Sequence, residues 1–130
     1  MAQLGNPMAA RRQDWIQRVT NLVDQISAWA QAEGWQFQRE LKNIHEPLLG
    51  SYQVPALTIH LPGGELMINP IGLHIVGGDG RVDIEATPTL SRVKLIGANG
   101  NWIVMTDSNV PLRITWDAQH FIELAHDLLA

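Results

Sequence analysis

The sequence predicts an α+β fold: an N-terminal helix, a five- to seven-stranded, mostly antiparallel meander sheet and a C-terminal helix, with both helices packed on one sheet face. Three observations carry this. Apolar residues recur every three to four positions near both ends of the chain. Between those stretches the period drops to two. The connections in that middle region are short turns, which join antiparallel strands, whereas parallel strands need long crossovers.

The first helix is the clearest element. Trp15, Val19, Leu22, Ile26 and Trp29 alternate spacings of four and three, and Ile16, Val23 and Ala30 widen the stripe. Asp14 stands where an N-cap is expected and Gly34 where a helix stops, which predicts a helix over about 14–33. Residues 1–12 are expected to be a flexible tail, and residues 13–130 a single α+β domain. The tail lacks the apolar run of a signal peptide.

After Gly34, Trp35 and Phe37 alternate with Gln36, Gln38 and Glu40, which predicts a strand. His45 to Ser51 is expected to be a loop. Val54 to Leu61 and Leu66 to Asn69 flank Pro62-Gly63-Gly64 and form a hairpin. A short strand is expected over Leu73 to Val76, followed by a turn at Gly77-Gly78-Asp79-Gly80. Val82, Ile84 and Ala86 alternate with Arg81, Asp83 and Glu85 in the next strand, which Thr87-Pro88-Thr89 ends. Arg92 to Ile96 and Trp102 to Thr106 flank Asn99-Gly100, the strongest short hairpin signal. Leu112, Ile114 and Trp116 are expected to add a last edge. Asp117 then caps a second helix whose stripe is Phe121, Leu124, Ala125 and Leu128. The sheet face away from the helices carries Thr58, His60, Asp83, Glu85, Arg92 and Lys94 and is expected to be solvated.

Composition narrows the function. The chain has 130 residues, a 45% hydrophobic fraction and no cysteine. A disulfide framework, thiolate catalysis and cysteine-ligated zinc are therefore excluded, and a reducing, cytoplasmic compartment is the expected setting. The formal net charge of −4 argues against nucleic acid or anionic membrane as a partner, since both need a concentrated basic surface. No apolar stretch is long enough to span a bilayer.

Five tryptophans stand out. Trp15, Trp29, Trp35 and Trp116 are expected in or against the core, and Trp102, beside a turn, is a candidate binding residue together with His60 and Arg92. Asp83 and Glu85, two apart on a strand, share a face, with Lys94 on a neighbouring strand. Paired carboxylates can hold a divalent cation or act as acid and base, so Asp83, Glu85 and Lys94 are the catalytic candidates. The pattern departs from two-acid-plus-lysine nucleases, because Ala86 and Thr87 follow Glu85. The single Glu-x-x-His at Glu123 and His126 falls short of the doubled motif of di-metal sites, so no metal site and no cofactor are assigned. The resulting expectation is a non-catalytic protein-interaction or binding module that self-associates as a homodimer and takes another protein as a further partner. A small metal-dependent hydrolase or nuclease-like enzyme using Asp83 and Glu85 is the alternative.

Overall fold

In the computed structural model, which describes residues 7–75 and 78–130, helix α1 spans Pro7–Ala32. The helix starts earlier than the apolar stripe suggested. Proline suits a first helical position, where its fixed φ is already helical and its missing N–H would have had no partner. Residues 7–12, expected as tail, are therefore the first turns of α1, and Met8 packs against the core. Residues 1–6 of that expected tail lie outside the described residues. Asp14 is not the cap but an interior residue, paired with Arg18 at 3.1 Å one turn on. The stripe itself is as expected, with Trp15, Val19, Leu22, Val23, Ile26 and Ala30 buried.

Six strands follow: β1 (Gln36–Glu46), β2 (Gly50–Leu61), β3 (Gly64–Gly72), β4 (Arg81–Thr87), β5 (Arg92–Ala98) and β6 (Asn101–Thr106). They form one antiparallel sheet in sequence order, and helix α2 (Ala118–Leu128) closes the chain. Leu57, Ile68, Ile84 and Val93 are successive cross-strand partners and are all buried. This row, with its neighbours Ile59, Leu66, Val82 and Leu95, forms the floor on which α1 and α2 pack. Trp29, Trp116 and Phe121 lie within 5.3–5.8 Å of one another, centroid to centroid, and join the helices. Asp117 caps α2 as expected, its carboxylate accepting the His120 N–H at 2.9 Å.

Asn99 and Gly100 both adopt positive φ, 51° and 79°, as the tight β5–β6 turn requires. Three segments differ from expectation. The hairpin β1–β2 is longer: pairing runs unbroken from Gln36↔His60 to Glu46↔Gly50, so most of the expected loop is strand. On β2 the buried positions change phase, from Leu57, Ile59 and Leu61 to Tyr52 and Val54, and the hairpin tip reaches the start of α1. There Arg12 Nη1 donates to the Leu49 carbonyl at 2.8 Å. Leu73 to Ile75 is not a strand, because the Leu73 and His74 N–H groups donate to a side chain, Glu46, in place of a neighbouring strand. Val76 and Gly77 lie outside the described residues. The expected last edge is reduced to one bridge, Met105↔Pro111, since Arg113 with φ 55° interrupts extended backbone.

Candidate functional site

Cross-strand register decides which polar side chains meet on the sheet face away from the helices. Asn69, Asp83, Lys94 and Met105 form one row, and Met67, Glu85 and Arg92 the next. The catalytic candidates Asp83, Glu85 and Lys94 are thus brought together with Arg92, as alternation on β4 and β5 implies. Their state differs from the solvated face expected. Asp83 is 1% exposed and Lys94 8%. The reason is the turn after β6, which folds over them: Asp107 takes Arg92 at 2.8 Å and Asn109 accepts from Lys94 Nζ at 2.9 Å.

Both Asp83 oxygens are occupied. Arg81 Nε and Nη2 donate to Oδ1 and Oδ2 at 2.7 and 2.8 Å, a two-pronged fork, and Arg92 Nη1 lies 3.7 Å from Oδ2. The Asp83 hydrogen bond holds the Arg81 guanidinium above its ordinary range. Glu85 accepts from Asn69 Nδ2 at 3.3 Å, and Lys42 donates to Asn69 Oδ1 and the Pro70 carbonyl at 2.7 and 2.6 Å. Burial lowers the Lys42 ammonium more than Glu85 and Asp83 raise it. The assembly is a closed network of alternating charge. Among the described residues no three His, Cys, Asp or Glu side chains converge on a metal-sized space. His60 is elsewhere, at the β2–β3 turn, 3.1 Å from Glu65. Glu123 accepts from Gln119 at 3.2 Å and His126 stands edge-on to Trp35 at 5.8 Å.

Glu46, in the segment expected to be a loop, is a buried carboxylate with a fuller set of donors. Glu46, 8% exposed, accepts from the Tyr52 hydroxyl and from the N–H groups of Leu73 and His74 at 3.1 and 2.9 Å. Burial alone pushes this carboxyl up, but the hydrogen bonds from Tyr52, His74 and Leu73 outweigh it and hold it below its ordinary value. Burial, and then the hydrogen bond to Glu46, push the Tyr52 phenol far up, so it stays protonated and donates. Its oxygen accepts the Trp15 indole N–H at 3.1 Å. The chain Trp15–Tyr52–Glu46 therefore pins α1, the long hairpin and the segment after β3 together.

A pH dependence follows. A carboxyl lowered in the folded state stabilises the fold above its unfolded value and ceases to do so as pH falls through the folded value. The stability advantage of the wild type over Glu46→Gln is expected to be complete above the ordinary carboxyl value of 4.5 and to shrink below it. Urea unfolding of both proteins across that range checks this. An advantage that grows on acidification would refute the assignment.

A concavity lies on the helix side, between α1 and the segment that links β6 to α2. It encloses about 500 Å³, a volume typical of ligand clefts. Trp102 and Trp116 wall it, Leu22 and Ile114 are apolar, and Asn21, Gln25 and Asn101 supply amides. Trp102 leans on Trp15 with centroids 6.2 Å apart, and Arg18 lies over the Trp15 ring at 5.2 Å. Trp116 Nε1 donates to Gln25 Oε1 at 2.9 Å.

No known protein family, curated protein or solved structure matches this chain.

The structure brings Asp83, Glu85, Lys94 and Arg92 together, places Trp102 in the cleft and leaves His60 apart. Sequence reasoning missed Arg81 as the fork on Asp83, Glu46 as a buried acceptor, and Gln25 and Trp116 as cleft residues. The i, i+2 spacing of Arg81 and Asp83 on one strand was the only signal available for the first. The others depend on long-range packing.

Proposed function

We propose that the protein is a non-catalytic binding module that works as a homodimer joined through β1. One observation carries this reading. β1 is an edge strand of 11 residues, and its outer side pairs with no strand among the described residues. A long unpaired edge is a template for another chain and is usually blunted or covered. Here it is neither short nor uniformly charged, and Leu41, at its midpoint, is 67% exposed.

A two-fold axis perpendicular to the sheet reverses strand direction and keeps each residue on its own face. Centred on Leu41, such a pairing sets Leu41 against its counterpart and brings no like charges face to face, since Glu40 meets Lys42, whose ammonium already has Asn69 and Pro70 as partners. Opposite charges at directly facing positions stabilise a strand pair, whereas like charges destabilise it. Asp83, Glu85 and Lys94 serve as scaffold in this reading, because each already has a protein partner. A chain without cysteine suits a cytoplasmic setting for such a module.

Native mass spectrometry and sedimentation velocity are expected to give a dimer for the wild type. Leu41→Lys sets two ammonium groups face to face, and at an exposed position it changes folding stability by under about 0.5 kcal/mol. It is expected to be a folded monomer. A wild type that stays monomeric at high micromolar concentration, or a Leu41→Lys protein that stays dimeric, refutes the β1 contact.

A further inference from the structure

The cleft at the other end of the sheet has an unusual polar character. An indole N–H can only donate, so the bond from Trp116 fixes Gln25 with its oxygen toward Trp116. The Gln25 amide NH₂ is left without a protein partner among the described residues. Asn21, on the same wall, is bonded to Gln17 at 2.8 Å through its side-chain amide. The Trp102 indole N–H has no partner among the described residues, yet no buried side-chain nitrogen is unsatisfied, so it reaches solvent. Among the described residues no acidic side chain lines the cleft, and the one cation that does, Arg18, is engaged by Asp14 at 3.1 Å and Asp79 at 3.6 Å. The surface thus combines two indole walls with hydrogen-bond donors and little free charge.

We infer that this cleft binds a proline-rich segment of a partner protein in the polyproline II conformation. Such a segment is complementary in both respects. Its pyrrolidine rings are apolar and suit aromatic walls, and its backbone carries carbonyl acceptors with no N–H at proline. It is preformed, so little conformational entropy is lost on docking. The cleft adjoins β6, the edge opposite β1, so it stays open in the proposed dimer and does not depend on it.

The test uses the full-length protein and a blocked oligoproline of about ten residues, with a cello-oligosaccharide as the competing probe. Binding is read from the Trp102 indole resonance in ¹H–¹⁵N spectra and from tryptophan fluorescence. Oligoproline is expected to shift that resonance saturably. Gln25→Glu keeps an acceptor for Trp116 and turns the outward donor into an acceptor, so it is expected to weaken oligoproline binding at least about tenfold. Trp102→Phe keeps a ring against Trp15 and removes the N–H, with the same expected loss read from the fluorescence of the remaining tryptophans. Native-like spectra for both variants establish that they are folded. No shift with oligoproline at millimolar concentration overturns the inference. So does wild-type affinity in both variants, or a shift caused by the oligosaccharide and not by oligoproline. A sugar, whose hydroxyls donate, would tolerate or favour Gln25→Glu. The oligomeric state of the same samples separates failure here from failure of the β1 contact.

Discussion

Trp15→Ala is expected to lower the stability of the protein by about 3–5 kcal/mol, the range for emptying a large aromatic site in a packed core. Trp15 is fully buried and joins three parts of the fold. Its ring packs on Trp102, its N–H donates to Tyr52, and it lies so close to Gly80 that an added Cβ there would come within 2.2 Å of the ring. Alanine leaves a void bounded by the sheet and by the segment before β4, neither of which can close inward without breaking strand pairing. Trp15→Phe separates the contributions. It keeps most of the volume and deletes the donor to Tyr52, for an expected cost of about 1–2 kcal/mol. Urea-induced unfolding followed by circular dichroism measures both. A loss below about 2 kcal/mol for Trp15→Ala would show that the tryptophan does not hold these three parts together.

Asp83→Ala is expected to destabilise by about 2–3 kcal/mol, which corresponds to roughly 10 °C in thermal midpoint for a chain of this size. Removing one partner of a buried ion pair leaves the other without compensation. Asp83 is 1% exposed, and two arginines converge on it. The effect falls short of the full buried-pair value because Arg81 and Arg92 retain 27% and 39% side-chain exposure and can be rehydrated. This result bears on function. A catalytic carboxylate can be removed with activity lost and stability kept. A carboxylate that anchors the sheet's outer face cannot. Thermal unfolding of Asp83→Ala, alongside metal titration of the wild type, separates the two roles. Unchanged stability together with stoichiometric divalent-ion binding would restore Asp83 and Glu85 as a catalytic pair.

Much of the architecture was legible because it rests on local periodicity. The stripe from Trp15 to Ala30 specified α1, the alternation over Arg81–Ala86 specified β4, and Asn99-Gly100 specified the β5–β6 turn. Asp117 specified the start of α2. The misreadings share a cause. His45 to Ser51 looks like a loop by composition, since His45, Glu46, Pro47 and Gly50 all favour irregular backbone. It is nevertheless mostly strand, because Tyr52 and Ile44 are buried at the hairpin tip and Glu46 finds its donors in the segment after β3. Leu73 to Ile75 carries a strand-like run but pairs with no strand among the described residues, as its first two N–H groups are taken by that carboxylate. Local pattern states what a segment prefers; it is silent on which distant groups will satisfy its hydrogen bonds.

The candidate sites divide in the same way. That Asp83, Glu85, Arg92 and Lys94 share one sheet face follows from a period of two and short turns, and the sequence by itself determined it. Helix count, the antiparallel character of the sheet and the lack of any cysteine chemistry were likewise set by residues acting within a turn or two of one another, whereas the strand order β1 to β6 came from the tertiary structure. Only the tertiary structure decided that the Asp107–Asn109 turn folds over that face and shields its charges, and that Gln25 meets Trp116 across 91 residues of chain. It also left the outer edge of β1 without a strand partner among the described residues. The physical reason is range. Helical and strand periodicities are properties of the backbone within a few residues, whereas burial, ion pairing and edge exposure depend on which separated segments come into contact.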